Sequence, residues 1–271
     1  MRFFCALLFI FFSLTQLNAQ IQPVVSVQEV HGGLVITTPY CRFGIDGRRD
    51  KAMIEIIASK AFQRLKEIHQ YGPSHYAKKD IVYGGVSPAL RETVDYTRFD
   101  HSICCAMLAR LKGRPLTEQI ACLLHDISHT ALSHVGDVVF GSNNPTAYAY
   151  QDTILAKFLE EHGIAHILRH NRISIEDVLP KPAFLDRLDY TLVGGWLAGI
   201  LEQEQITQII SDLSFNKRKH CCYFEFEAID SAREVAYRAL ELTEINHGAP
   251  WNTIVYSLAA QALKRAFNLN L

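Results

Sequence analysis

Leu123-Leu124-His125-Asp126-Ile127-Ser128-His129 ends an apolar pattern of helical period that begins at Pro115. The pattern predicts a helix from Pro115 to Ser128, with proline in the first turn, where its missing N–H is tolerated. Asp126 lies beside the apolar stripe, and burying a carboxylate is costly unless a partner compensates its charge. A divalent metal ion would do so, because carboxylate and imidazole both suit such ions.

Two further candidate ligands lie outside this segment. His101 is early in the preceding predicted helix, Arg98–Leu111, and Asp186 is an acid in the otherwise apolar segment around Leu185 and Leu188. A lone histidine or acid of this kind is better explained as a hydrogen-bonded structural residue. The set of His101, His125, Asp126 and Asp186 instead favours a metal site.

Composition disfavours disordered, collagen-like and coiled-coil proteins. The chain has 271 residues, of which 49% are apolar and 20% are charged, values typical of a globular protein. Lys and Arg total 27 against 28 Asp and Glu, so the near-neutral charge gives no argument for nucleic-acid binding. Twelve histidines are unusual, and four of them lie between His101 and His134.

Periodicity predicts a mostly α fold with small β hairpins. One hairpin is expected at Val24–Thr37, around Gly32-Gly33, and another at Lys219–Phe226. The segment Tyr71–Thr97, rich in Gly and Pro, is long for a connection and is a candidate lid. Besides the two helices already given, helices are predicted at 51–70, 131–140, 148–162, 175–179, 183–196, 203–213, 229–245 and 251–267.

The first 19 residues have the pattern of a secretory signal peptide. A thin positive start, Met1-Arg2, precedes the apolar run Phe3–Leu14, and Ala19 suits a cleavage site before Gln20. The alternative is an uncleaved anchor, but this run is shorter than the roughly 20 residues of a spanning helix. We therefore expect export to the periplasm or medium, with no membrane attachment after cleavage. The cysteines of the mature chain could pair there, but buried free thiols are the preferred interpretation.

Four ordered blocks resemble the HD-domain metal-dependent phosphohydrolases. His101, His125-Asp126 and Asp186 match the H…HD…D signature of that family. The resemblance is closest to the deoxynucleoside triphosphate triphosphohydrolase branch, which includes the sterile-alpha-motif-and-HD-domain enzymes. It is carried by the segments Phe62–Gln70, Thr97–Ser102, Leu123–His134 and Asp186–Tyr190.

The resemblance implies a single HD-type domain over residues 20–271, with a metal core at about 98–196 and C-terminal helices at 229–268. It implies one divalent ion (manganese, iron, magnesium or zinc) held by His101, His125, Asp126 and Asp186. The implied activity is hydrolysis of a nucleotide or another phosphate ester or anhydride by metal-activated water. The implied partner is a small phosphorylated substrate, and relatives commonly form homo-oligomers.

The resemblance also implies roles for residues around the ion. Asp126, His129 and His134 match catalytic positions, and an imidazole of ordinary pKa, about 6.5, can protonate a leaving oxygen. The implied substrate contacts are Arg98, Arg187, Gln70 and Tyr190. Arg98 would contact phosphate, although a salt bridge at the helix start is the alternative. Gln70 would contact the sugar, although a polar helix end explains it nearly as well.

The sequence departs from the family in the long segment Tyr71–Thr97 and at two sets of site residues. Tyr150-Gln151-Asp152 stands where relatives carry a His-Glu pair for acid catalysis, so that role is vacant or taken by His129 or Asp152. Tyr190 is followed by Thr191–Gly194, so an aspartate that touches the nucleoside is missing. These departures support a competing hypothesis, a non-catalytic exported module that binds a phosphorylated ligand. A thiolate ligand from Cys104, Cys105 or Cys122 is conceivable but would be redundant beside the four predicted ligands.

Overall fold

The computed structural model describes residues 22–77, 94–141, 150–179, 182–218 and 221–269. The predicted leader, 1–19, and most of the candidate lid, 78–93, lie outside these ranges. In the ranges described, the chain is mostly α-helical with small antiparallel sheets, which confirms the predicted fold class. None of the helices described there combines the length and apolar character needed to cross a bilayer.

The helices are numbered α1 to α11 along the described chain. Helices α3 and α4 form the centre of the core, and α8, α10 and α11 pack around the site described below. The bounds are α1 Lys51–Ala58, α2 Lys60–Gln63, α3 Arg98–Leu111, α4 Leu116–Leu124, α5 Val135–Phe140, α6 Tyr150–Glu161, α7 Ile164–His170, α8 Ala183–Leu197, α9 Gln203–Asp212, α10 Ile229–Leu242 and α11 Pro250–Asn268.

Three small sheets accompany the helices in the described ranges. Their strands are β1 Gln22–Pro23, β2 Ser26–Val30, β3 Gly33–Thr37, β4 Arg42–Asp46, β5 Val94–Asp95, β6 Leu213–Arg218 and β7 Cys221–Phe226. The predicted N-terminal hairpin is β2–β3, and β4 extends it to a three-stranded antiparallel sheet. Gly33 is required there, because a Cβ would lie 1.9 Å from the carbonyl oxygen of Ile45. The second hairpin pairs β6 with β7, so it begins earlier than the predicted Lys219.

Helix α3 is buried from Arg98 to Ala109. Its start is fixed by a capping box, in which Thr97 Oγ1 accepts from the Asp100 N–H and Asp100 accepts from the Thr97 N–H. A cap of this kind contributes about 0.5–2 kcal/mol. Asp100 also accepts a 3.2 Å hydrogen bond from the Val25 N–H, which ties α3 to the chain before β2. The first turns of α3, which carry Arg98 and His101, are therefore firmly placed.

The helix predicted over 51–70 is broken into three pieces. Helix α1 ends at Ala58 because Ser59 is extended (ψ 146°), and Ser59 Oγ then accepts from the Phe62 N–H to begin α2. A 3-10 turn, Arg64–Glu67, follows. Apolar spacing was maintained across the break, so periodicity alone could not locate it.

Several other helix predictions are wrong. The segment predicted as helix 131–140 becomes helical only at Val135, because Thr130 and Ser133 close a turn in which Ser133 has φ of 56°. Residues 175–179 form a turn closed by the Val178 N–H on the Ile175 carbonyl. Helix α7 was not predicted. The predicted helix 229–245 ends at Leu242, and a π-helical turn, Thr243–His247, follows it.

Helix α4 ends at Leu124, four residues before its predicted end. The next backbone bonds span three residues, from the Ile127 N–H to Leu124 and from the His129 N–H to Asp126. Arg64 stabilises this tighter turn by donating to the carbonyl oxygens of Ile127 (2.7 Å) and His129 (2.9 Å). His125 and Asp126 therefore lie in a turn that the Arg64 guanidinium holds in place.

Candidate metal centre

Four side chains bring their metal-binding atoms together beside the end of α4. His101 Nε2 lies 3.2 Å from His125 Nε2 and 3.2 Å from Asp186 Oδ1. Asp126 Oδ2 lies 3.6 Å from His101 Nε2 and 3.5 Å from His125 Nε2. His125 Nε2 is 3.8 Å from Asp186 Oδ1. The structure thus brings together the four residues predicted as ligands.

These spacings fit a single metal ion. Nitrogen and carboxylate oxygen bind such ions at about 2.0–2.2 Å, which places two ligands of one tetrahedral ion about 3.4 Å apart. The five measured separations, 3.2 to 3.8 Å, bracket that value. The donor set of two imidazoles and two carboxylates therefore fits a divalent ion.

Neighbouring groups keep the carboxylates of Asp126 and Asp186 ionised, the form that binds a metal. Burial would raise the pKa of Asp126, but Arg98 and the neighbouring histidines hold that pKa well below its usual range. Burial also opposes ionisation of Asp186, but hydrogen bonds from His101 and His125 outweigh it and lower the Asp186 pKa. Burial lowers the pKa of His101, yet its bonds with Asp186 and Asp189 prevail and raise that pKa to about 10. An ion bound at His101 Nε2 would therefore displace a proton.

Arg98 is buried, with only 4% of its surface exposed. Its Nη1 donates to Asp126 Oδ2, and its Nη2 donates to Ser133 Oγ at 2.6 Å. The salt bridge thus crosses to the predicted ligand turn, whereas the sequence suggested one at the helix start. In the described parts of the chain, Arg98 Nε and Gln70 Oε1 are buried without a hydrogen-bond partner. Buried polar atoms left in this way are suited to contact a ligand.

A cavity of about 280 Å³ opens beside the four ligands. The carboxylates of Asp126 and Asp186 line it, whereas His101 and His125 are buried and do not. Four other predicted site residues also line the cavity: Gln70, Arg98, His134 and Tyr190. Arg187 is exposed on α8 and is not among the residues that line the cavity.

Half of the cavity wall was not predicted. Its additional residues are Tyr71, Thr243, Asn246, His247, Asn252 and Tyr256. The last five come from α11 and the π-helical turn before it, a region in which sequence motifs indicated little chemistry. The Tyr256 hydroxyl donates to the Tyr71 carbonyl at 3.2 Å, which joins α11 to the segment after Gln70. Among these residues, only Tyr71 lies directly beside a motif, and that position was the available signal.

His129 and His134 differ in their surroundings. Burial and the Arg98 guanidinium lower the pKa of His129 to about 3, so its imidazole is neutral near pH 7. Its Nε2 lies 3.2 Å from Asp126 Oδ1 without hydrogen-bond alignment, and His129 does not line the cavity. The His134 side chain is 47% exposed, and its Nδ1 lies 2.8 Å from Asp137 Oδ2. His134 is therefore the better candidate for proton transfer.

The position of the absent His-Glu pair supplies no alternative acid. The Gln151 backbone carbonyl accepts from Ser128 Oγ at 2.8 Å, and the Gln151 side-chain amide donates to Asp152 at 2.6 Å. Neither residue is among those that line the cavity. We therefore assign Gln151 a structural contact behind the ligand turn.

Of the three cysteines considered as ligands, Cys105 lies nearest to the centre. Cys105 Sγ lies 3.7 Å from His101 Nδ1 and 3.9 Å from His101 Nε2. Burial raises the pKa of the Cys105 thiol well above its ordinary value, which disfavours the thiolate form in the absence of an ion. Cys104, Cys105 and Cys122 are buried free thiols, which confirms the preferred interpretation for these three, whereas Cys41 is free but only half-buried.

Comparison with known proteins identifies two relatives that are named as phosphohydrolases and one that is uncharacterized. No family model matches the chain. The uncharacterized protein YdhJ of Bacillus subtilis is 31% identical over 229 residues, 80% of this chain and 64% of that protein. The metal-dependent phosphohydrolase cns2 of Cordyceps militaris is 31% identical over 174 residues, 60% of this chain and 46% of the relative. The deoxynucleoside triphosphate triphosphohydrolase SAMHD1 of Xenopus laevis is 27% identical over 182 residues, 59% of this chain and 24% of the relative.

The named relatives support an HD-type phosphohydrolase family. This agrees with the ordered blocks in the sequence and with the convergence of His101, His125, Asp126 and Asp186. The chain spans less than two thirds of the length of each of these three relatives. A metal cofactor is supported by the relative named metal-dependent phosphohydrolase and by the cluster of donor atoms on His101, Cys105 and His125.

Proposed function

We propose that the chain is a metal-dependent phosphohydrolase that cleaves a nucleotide or another phosphate ester or anhydride. The observation that carries the proposal is the convergence of four ligand atoms at 3.2–3.8 Å beside a cavity that a buried arginine also lines. When bound, a divalent ion supplies Lewis acidity and a nucleophile near neutral pH. The named relatives are hydrolases, so they favour this proposal over a non-catalytic module.

The chain's own residues would bind and orient the phosphoryl group. Arg98 Nε is a buried donor without a partner, and the Arg98 guanidinium, which is bonded to Asp126 of the ligand turn, belongs to a residue that lines the cavity. A planar guanidinium matches phosphate geometry and neutralises charge that develops on its oxygens. Arg98 would therefore position the phosphate while His134 transfers a proton to the leaving oxygen.

We propose that the ion is manganese, iron or zinc. Two imidazoles among the four donors suit these ions, whereas magnesium prefers oxygen ligands and retains several waters. The cavity volume of about 280 Å³ suits a small phosphorylated molecule. Membership of the deoxynucleoside triphosphate triphosphohydrolase branch is part of this proposal, and the missing aspartate after Tyr190 leaves base recognition to other side chains.

A substrate panel tests the proposed activity. The protein, loaded separately with each metal, is incubated with nucleoside mono-, di- and triphosphates, sugar phosphates and nitrophenyl esters, and released phosphate, diphosphate and triphosphate are measured. We expect turnover that disappears in His125→Ala. Metal-loaded protein that binds phosphorylated ligands but hydrolyses none of the panel would instead support the non-catalytic module. Export is a separate proposal, tested by mass spectrometry for a mature N-terminus at Gln20.

A further inference from the structure

Asp189 is a fully buried aspartate one helical turn beyond Asp186. Its Oδ1 accepts a 2.5 Å hydrogen bond from the Tyr40 hydroxyl, and its Oδ2 accepts a 2.6 Å bond from the Tyr96 hydroxyl. Oδ2 also lies 2.6 Å from His101 Nδ1. Burying a carboxylate is costly, so three converging hydrogen bonds around it call for a functional explanation.

The Asp189 contact determines which nitrogen of His101 is available to an ion. With Nδ1 bonded to Asp189, Nε2 faces His125 and Asp186. His125 has the matching arrangement, because its Nδ1 lies 2.7 Å from the Cys122 carbonyl oxygen. A ligating histidine commonly donates its other N–H to a carboxylate or carbonyl, which fixes the tautomer and strengthens the ligand. An anionic partner such as Asp189 forms a stronger hydrogen bond to the ligating histidine than a neutral carbonyl does.

We propose that Asp189 is a positioning residue of the metal centre, which Tyr40 and Tyr96 hold against His101. This inference rests on the proposed function, because it presumes that His101 binds an ion. Tyr40 lies in the connection between β3 and β4, and Tyr96 lies between β5 and α3. Through Tyr40, the N-terminal sheet supports a centre whose ligands all lie on or after α3. The sheet thus contributes to metal affinity without supplying a ligand.

Titration calorimetry with Mn²⁺ on the full chain tests the proposal. Asp189→Asn keeps the size of the side chain and removes its charge, and we expect it to weaken Mn²⁺ binding by about 10- to 100-fold. Tyr40→Phe and Tyr96→Phe each remove one hydroxyl and should weaken binding in the same direction by less. Asp50→Asn is the matched control, since Asp50 is also a buried carboxylate but is paired with Arg110 (2.9 Å), away from the ligands. We expect that control to leave Mn²⁺ affinity unchanged.

The outcomes separate this proposal from the proposed function. If the wild-type chain binds none of Mn²⁺, Fe²⁺, Co²⁺ and Zn²⁺, the metal centre itself is refuted. If the wild type binds Mn²⁺ and folded Asp189→Asn binds it equally well, the positioning role is overturned. Should Asp189→Asn fail to fold, as judged by circular dichroism, the two tyrosine variants decide. If both tyrosine variants keep the wild-type Mn²⁺ affinity and cobalt absorption spectrum, the proposal is overturned. Weaker Mn²⁺ binding in either variant would support it.

Discussion

Replacing His134 should remove proton transfer while leaving the metal in place. His134 lines the cavity, and Asp137, 2.8 Å from its Nδ1, orients the ring so that Nε2 remains for a ligand. His129, whose ring is 4.6 Å away, has a pKa of about 3 and cannot act as an imidazolium near pH 7. His134 is not among the four converging ligands, so its loss should not release the ion.

The size of the effect follows from this placement. A positioned general acid contributes about 10²–10⁴-fold in rate, equivalent to about 2.7–5.4 kcal/mol of transition-state stabilisation. We expect His134→Ala to lose that factor in kcat on a nucleotide or alkyl phosphate, whose leaving oxygen is strongly basic. On a p-nitrophenyl ester the leaving group departs without help, so the loss should stay within about tenfold. Asp137→Asn only disturbs the orientation of the ring and should lose less than His134→Ala.

The assay compares kcat for the two leaving groups, with metal content measured on the same preparations. A greater loss on the basic leaving group, with unchanged metal, is the predicted result. Equal losses on both substrates, or loss of metal with His134→Ala, would refute the assignment of His134 as the proton donor.

Three further predictions concern the metal, the proton and the cavity wall. Cys105→Ser should leave metal content unchanged, since His101, His125, Asp126 and Asp186 already supply four donors to one ion; loss of most of the metal, by mass spectrometry, would contradict this. Because the pKa of His101 is raised to about 10, metal binding near pH 8 should release about one proton and strengthen as pH rises. Calorimetry in buffers of different ionisation enthalpy measures that proton, and no release would count against the His101 contact. Tyr256→Phe should raise KM by about 2- to 10-fold at constant kcat, the effect of one lost hydrogen bond; a lower kcat at constant KM would place Tyr256 in the chemical step.

The predicted ligand set illustrates what local sequence pattern can establish. An acid in an apolar context is costly to bury, and that reasoning pointed to Asp126 and Asp186 before any geometry was known. Asp189 lies in the same apolar segment, but no role was predicted for it; in the structure it is more deeply buried than Asp186. Its partners could not be predicted, because Tyr40 is 149 residues away in the chain and no motif links the two.

The boundaries of the ligand turn depended on tertiary contacts. Periodicity predicted a helix as far as Ser128, but α4 ends at Leu124. Arg64 donates hydrogen bonds to the carbonyl oxygens of Ile127 and His129 in the turn that follows. Arg64 is about 60 residues earlier in the chain, so no local pattern signals its effect.

The cavity wall from the C-terminal region was missed for a related reason. Asn246, Asn252 and Tyr256 are ordinary residues of helical or turn segments, and only packing of α11 against the segment after Gln70 brings them to the site. Polar residues on a helix are usually solvent-facing, so their chemistry becomes evident only once the elements around them are placed.

The central claim is that His101, His125, Asp126 and Asp186 hold a divalent ion. The most direct test is elemental analysis of the full chain, loaded with Mn²⁺, Fe²⁺ or Zn²⁺ and dialysed, by inductively coupled plasma mass spectrometry. We predict about one ion per chain in the wild type and in His134→Ala, and less than a tenth of that in His125→Ala and Asp126→Ala. Equal metal content in the wild type and in folded ligand variants would contradict the claim.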